Sequence, residues 1–297
     1  MRNLKAIKLS ESALEQLSKI TPAAIEMAKA LWSQTVPLRW KPLLDAQTIG
    51  IDDPLTSVYV WDATNRRYIH LRSRRYVPFQ DIRAQAVEPL IQRSKAMQRT
   101  LSQGLQSGDT KLSEWQLTML ENIKQTELAA SLAANGGEQN TSEADKKKIA
   151  AAILLLLLFF QTFTEEIEVG RQALNGSLLA RSDLYANSAR SIFEETRRFG
   201  MAAYFGAVQE RRRFGIAEHC HSDGERQGCV ELYDKGWQPI NSLPRLGDTP
   251  CRTNCKCRFE YRYKDNNGDW VLVDDSKSIA VILKQLGVRE DASTQSR

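Results

Sequence analysis

Lys146-Lys147-Lys148-Ile149-Ala150-Ala151-Ala152-Ile153-Leu154-Leu155-Leu156-Leu157-Leu158-Phe159-Phe160, closed a few residues later by Glu165-Glu166, is the most apolar stretch of this chain. It forces a choice between a membrane segment and a core helix. Ile149 to Phe160 is twelve residues, about 18 Å as a helix, against the roughly 30 Å of a bilayer core. Its length argues against a span and predicts no membrane association. Charges at both ends suit a helix buried on all sides, inside a bundle or at a subunit contact.

Working outward, two helices are expected here, roughly Ser142 to Ala173 and Ser182 to Val208, separated by Asn175-Gly176. The polar stretch from Gln139 to Asp145 reads as a surface linker. Upstream, Ser113-Glu114-Trp115-Gln116 has the spacing of a capping box, and Trp115, Met119, Leu120 and Ile123 carry a helix on to Asn135-Gly136-Gly137. Before it, Ile82, Leu90, Ile91, Met97, Leu101 and Leu105 keep one stripe from Val77-Pro78 to Gly108. Val58 and Val60 alternate with Tyr59 and Trp61, and a turn at Ala63-Thr64-Asn65-Arg66 leads to Arg67-Tyr68-Ile69-His70-Leu71, which predicts a β-hairpin. Ser12 with Glu15, and Thr21-Pro22 leading to Trp32, open two further helices.

Downstream the character changes. From Gly215 to Cys257 glycine, proline and cysteine dominate, and no apolar period survives to build a conventional core. Phe259, Tyr261 and Tyr263 then alternate with charged residues, Asn267-Gly268 supplies a turn, and Trp270 to Val273 returns as a second strand. Ile279, Ile282, Leu283 and Leu286 suggest a closing helix. The expected fold is therefore mainly α: a multi-helix N-terminal region with a short β-hairpin (1–140), long central helices (141–212), and a small C-terminal zinc-knuckle and hairpin module (213–297).

The 297 residues are 42% apolar and 26% charged, which excludes wholesale disorder. A net charge of +5 permits contact with phosphate without requiring it. The basic N-terminus has no apolar stretch behind it, so no secretory signal is read and a cytoplasmic site of folding is expected. All five cysteines lie between Cys220 and Cys257, an odd number in one segment, which suits metal ligation better than a disulfide framework.

Those cysteines carry the sharpest chemical signal. Cys220, flanked by His219 and His221, and Cys229 form one cluster; Cys251, Cys255 and Cys257 form another about twenty residues on. Four thiolate or imidazole groups so arranged can close a tetrahedron around a structural Zn2+. Cys220, Cys229 and Cys251 are the preferred ligands, with Cys255 or Cys257 as the fourth and His219 or His221 as substitutes. A zinc deaminase would need His-x-Glu upstream and Pro-Cys-x-x-Cys downstream; here Glu218 precedes His219, and three residues separate Cys251 from Cys255. No His-Glu-x-x-His, P-loop or Gly-x-Ser-x-Gly pattern occurs, so the chain is read as a non-enzyme without a small-molecule substrate. Arg197-Arg198 and Arg211-Arg212-Arg213 are basic runs beside Glu194, Glu195 and Glu210. They read first as solvated helix faces paired with those acids and second as a contact for DNA.

The order of features resembles the phage head-morphogenesis family that includes the Mu F-like minor head proteins. Trp32, Pro37 and Leu43-Leu44-Asp45 resemble its N-terminal lead-in, and Tyr68 with Arg75-Tyr76-Val77-Pro78 to Ile82-Arg83 its basic turn feeding a long helix. Ser113-Glu114-Trp115 with Lys124, and Tyr185-Ala186-Asn187-Ser188-Ala189-Arg190, resemble its central helices. The most specific block is His219-Cys220, Cys229, Gly236-Trp237-Gln238-Pro239-Ile240, Leu243-Pro244, Gly247, Cys251 and Asn254-Cys255-Lys256-Cys257-Arg258. The family's first cysteine pair is separated by two residues, whereas eight, His221 to Gly228, lie between Cys220 and Cys229. The resemblance implies a minor component of a tailed-phage head, acting in procapsid assembly or DNA packaging. Its expected partners are the portal and major capsid proteins and packaged DNA, and its expected location is the host cytoplasm, then the virion. The alternative is a zinc-dependent nucleic-acid-binding protein.

Overall fold

Alternation at the start of the hairpin stretch produces β1 (Tyr59–Asp62), which pairs antiparallel with β2 (Arg67–His70), Trp61 lying opposite Tyr68. The computed structural model describes residues 58–205, 208–214 and 220–273, all in one compact unit. The helices expected around Ser12 and Thr21, the lead-in at Trp32, Pro37 and Leu43-Leu44-Asp45, the closing helix near Ile279, and His219 lie outside the described residues. The hairpin turn is closed by the Asp62 carboxylate, which accepts from the backbone N–H groups of Thr64 (3.0 Å) and Asn65 (3.2 Å). A short third strand, β3 (Arg75–Tyr76), adds to β2.

Pro78 then starts a helical stretch: α1 (Phe79–Ile82), a π-helical turn (Arg83–Val87) and α2 (Glu88–Ser107). Ile82, Leu90, Ile91 and Leu105 are buried as their spacing predicts, while Met97 is exposed. Gly108, with φ at +84°, ends it. Helix α3 (Leu112–Asn135) begins one residue before Ser113, so the expected capping box is not formed. It ends at Gly136, where only glycine serves: φ is +75°, and a Cβ would stand 2.1 Å from the Trp61 ring.

Helix α4 (Glu143–Glu168) starts where Ser142 Oγ accepts from Asp145 N–H at 3.1 Å. Its 26 residues make it long and apolar enough, by length and composition, to cross a membrane, more than the twelve-residue run alone suggested. The expectation of burial on all sides is corrected. Ile149, Ile153, Phe160, Phe163 and Ile167 face the core, but Leu154 to Leu158 are half-buried and Phe159 is 45% exposed.

The helix expected from Ser182 to Val208 is really two, α5 (Gly176–Asn187) and α6 (Ala189–Tyr204), followed by a strand. At the break Ser188 Oγ donates to the Tyr185 carbonyl and to the buried Glu127 carboxylate. Strand β4 (Val208–Arg213) alternates buried Val208, Glu210 and Arg212 with outward Gln209, Arg211 and Arg213. Its inward residues include two charged side chains, so the strand period was hidden from a reading of apolar residues. Helix α7 (Cys229–Asp234) and the two-residue β5 (Gln238–Pro239) lead to β6 (Arg258–Lys264) and β7 (Trp270–Leu272). The second sheet has the order β5-β4-β6-β7, all antiparallel. The expected C-terminal hairpin is thus the β6-β7 half of a larger sheet whose first strand begins before residue 213.

Candidate metal centre

Residues 220–257 contain few regular elements, and their sulfurs converge. Cys220 opens the last described stretch; Cys229 opens α7; Cys251 and Cys255 flank the 3₁₀ turn Arg252–Asn254; Cys257 precedes β6. Cys229, Cys255 and Cys257 are buried, and Cys220 and Cys251 partly so. Their Sγ atoms stand 3.4 Å apart for Cys220 and Cys251, 3.8 Å for Cys229 and Cys251, and 3.7 Å for Cys229 and Cys255. A tetrahedron with metal–sulfur bonds of about 2.3 Å has edges of about 3.8 Å. The three distances link four sulfurs at nearly that edge. Two trios, Cys220-Cys229-Cys251 and Cys229-Cys255-Cys257, are each close enough to hold a metal ion, and Cys229 belongs to both.

Local structure explains how the loop reaches this arrangement. At Gly228 a Cβ would meet the backbone of His221 and Cys220 at 2.3 and 2.5 Å, so glycine lets the two chain segments touch. That approach brings the Cys229 N–H to the Cys220 sulfur, 3.4 Å away. Sequence reading missed Thr249, fully buried, whose hydroxyl lies 3.1 Å from the Cys251 sulfur and 3.8 Å from that of Cys229. Nothing about a threonine two residues before a cysteine marks it in advance. His221 is brought near Glu231, 3.3 Å away, with a side chain 74% exposed, and belongs to neither trio.

The thiols compete for one another's protons. Hydrogen bonds from Cys229, Cys251 and Cys257 hold the Cys255 thiol far below its usual range, while contacts with Cys251, Cys255 and Cys257 push Cys229 up. At Cys251 the bond with Cys229 lowers the pKa, but Cys255 and burial outweigh it and push the thiol up to about 12. A cation among the sulfurs would relieve this competition by letting all the ligands ionise together.

The basic runs have another destination. Arg197, Arg198 and Arg212 are buried, at 1%, 3% and 0% exposure. Arg198 forms a bidentate pair with Glu210, with Nε 2.7 Å from Oε2, reaches Glu195 at 3.2 Å, and donates to the Leu243 carbonyl at 2.7 Å. Arg212 donates to the Pro244 carbonyl at 2.7 Å. Arg198 and Arg212 both lie on the Phe259 ring, and Arg197 lies on Phe79 and Tyr261. These are not solvated helix faces, and the three buried guanidiniums present no surface to a DNA backbone in this fold. Arg211 and Arg213 do face outward, where both pair with Glu260. Arg83, read in the sequence only as the end of a basic turn, donates to Glu194 and to the carbonyls of Lys256 and Cys257, tying α1 and its π turn to the cysteine loop.

Fold and site together define a mainly helical protein with small antiparallel sheets and a C-terminal cysteine cluster close enough to bind a metal ion. No family model, curated protein or solved structure matches the chain.

Proposed function

We propose that this chain is a structural minor head protein of a tailed phage, acting in procapsid assembly, in which a single Zn2+ pins the C-terminal sheet. Cys220, Cys229, Cys251 and Cys255 would hold the ion, with Cys257 supporting them from the start of β6. Zinc suits a cluster of thiolates, and closing four of them on the ion would leave no open position for catalysis. The convergence of sulfurs at 3.4 to 3.8 Å carries the metal part of this reading. The head-protein part rests on the resemblance of the block from His219 to Arg258, whose members Trp237, Leu243, Asn254 and the cysteines all fall in this one module. Burial of Arg197, Arg198 and Arg212 weighs against the nucleic-acid-binding alternative.

Mass spectrometry of purified virions and proheads from the source phage tests the assignment. The protein should be present in both, and particles from a deletion should assemble defectively. Its absence from both, with normal particles still forming, would overturn the proposal.

A further inference from the structure

Helix α4 presents an apolar line that nothing among the described residues covers. Its inner face packs on α3 and α6. On the outer face Ala151 and Phe159 are exposed, and Leu154, Leu155 and Leu158 are half-buried. Lys147 and Glu165, both exposed, sit at the two ends of this line. They are eighteen residues apart, five turns at about 3.6 residues each, so they lie on one edge of the helix. Neither forms an ion pair among the described residues; the Glu165 carboxylate accepts a hydrogen bond from Gln161, at 3.2 Å.

The charge pattern identifies the occupant. The midpoint between Lys147 and Glu165 and the midpoint of the apolar line coincide near Leu156. An antiparallel copy related by a two-fold axis at that point sets Lys147 against Glu165 of the second copy, and Glu165 against its Lys147. The same operation sets Leu154 against the second copy's Leu158. A surface whose two ends carry opposite charges about an apolar centre is self-complementary in the way a two-fold interface requires. A lipid surface would leave Lys147 and Glu165 unmatched, and spanning a bilayer would require α4 to leave α3 and α6.

We propose that the outer face of α4, along Lys147, Leu154, Leu155, Leu158, Phe159 and Glu165, is a homodimer interface in which two copies of this chain pair their α4 helices antiparallel. This inference does not depend on the metal reading or on the role in a phage head.

Charge reversal in the full-length chain tests it. Lys147→Glu places two like-charge contacts across the axis, as does Glu165→Lys, and each variant alone should associate about tenfold more weakly than wild type. Mixed in equal amounts, the two variants restore both opposite-charge contacts and should form a heterodimer of wild-type affinity. A folding defect cannot mimic that recovery. Sedimentation velocity at tens of micromolar protein, with one variant labelled, reads all the species. A monomeric wild type, a mixture no tighter than the single variants, or carbonate-resistant membrane association without self-association would each overturn the proposal.

Discussion

Replacing Glu210 with alanine should destabilise this protein more than removing most of its apolar side chains, although nothing in its sequence surroundings marks it as a core residue. Glu210 is fully buried, and its carboxylate holds both the Arg198 guanidinium and the Leu243 N–H, the latter at 3.0 Å. Glu210→Ala strands a buried cation whose remaining partners are Glu195 at 3.2 Å and the Leu243 carbonyl. Breaking one side of such a pair is worth about 3 to 5 kcal/mol, roughly 6 to 20 °C in Tm for a chain of this size. Arg198→Met should do at least as much, because it leaves two carboxylates, Glu195 and Glu210, buried together. The double variant Arg198→Met/Glu210→Leu removes both charges of the pair, leaving the Leu243 backbone groups without partners and Glu195 with Arg245 at 3.5 Å. It should therefore lose about 1 to 3 kcal/mol, less than either single change. Urea unfolding followed by circular dichroism gives all three values. If Glu210→Ala stays within about 1 kcal/mol of wild type, or the double variant is no better than the worse single, the buried-pair reasoning is wrong.

Other outcomes follow from the same structure. Reduced protein should carry one zinc ion per chain by elemental analysis; Cys229→Ser should abolish it, since Cys229 belongs to both sulfur trios, while under the proposed ligand set Cys257→Ser should retain it. Chelation should release hydrogen-exchange protection in residues 220–257 before it affects the contact between α6 and the sheet. Burial pushes the Glu127 carboxyl up to about 8 against the lowering bond from Ser188, while the unfolded chain keeps the ordinary value of 4.5. The native state thus holds a proton that the unfolded state releases, so stability is fully present below about pH 4.5 and is lost at roughly 1.4 kcal/mol per unit as pH rises toward 8. Glu127→Gln should remove that slope in urea midpoints compared at about pH 5 and about pH 8. Gly136→Ala should lower stability by about 2 to 4 kcal/mol in the same assay, because its Cβ meets Trp61 and its φ is positive.

Helices with an apolar stripe were legible because burial was written in apolar residues: Ile82, Leu90, Trp115, Met119 and Ile123 all lie where their spacing puts them. The N-terminal hairpin was legible for the same reason at period two. What failed was every element buried through charge. Strand β4 turns Glu210 and Arg212 inward, so it read as the end of a helix followed by a basic run. Helix α6 buries Glu194, Glu195, Arg197 and Arg198 on the side that meets β6, which made a core face look solvated. For α4 the error was opposite: an unbroken leucine run cannot say which leucines face inward, and only the positions of its neighbours settle that. The cysteine cluster was legible as a cluster, since five cysteines fall within 38 residues of a chain that has none elsewhere. The S–S distances, the contribution of Thr249 and the outward turn of His221 depend on loop geometry that no spacing encodes.

The two devices that hold the C-terminal module act on different parts of it. Arg198 and Arg212 on Phe259, and Arg197 on Tyr261, fasten β4 and β6 to α6 through ion pairs and ring contacts that need no ligand. The sulfurs act instead on the segment between those strands, where the described residues have only the six residues of α7, the two of β5 and one 3₁₀ turn as regular structure. Three buried leucines in that segment, Leu232, Leu243 and Leu246, pack beside the cysteines in the same small core, too little apolar area to order nearly forty residues of loop. Closing the loop at Cys220, Cys229, Cys251 and Cys255 through one ion restrains it at four points along its length, which is where its conformational entropy is greatest. Arg83 couples the two devices, because its guanidinium joins Glu194 on α6 to the carbonyls of Lys256 and Cys257 at the end of the loop. Loss of the ion therefore acts first on the loop and reaches α6 through Arg83 and through the Leu243 and Leu246 carbonyls, which accept from Arg198 and Ser191.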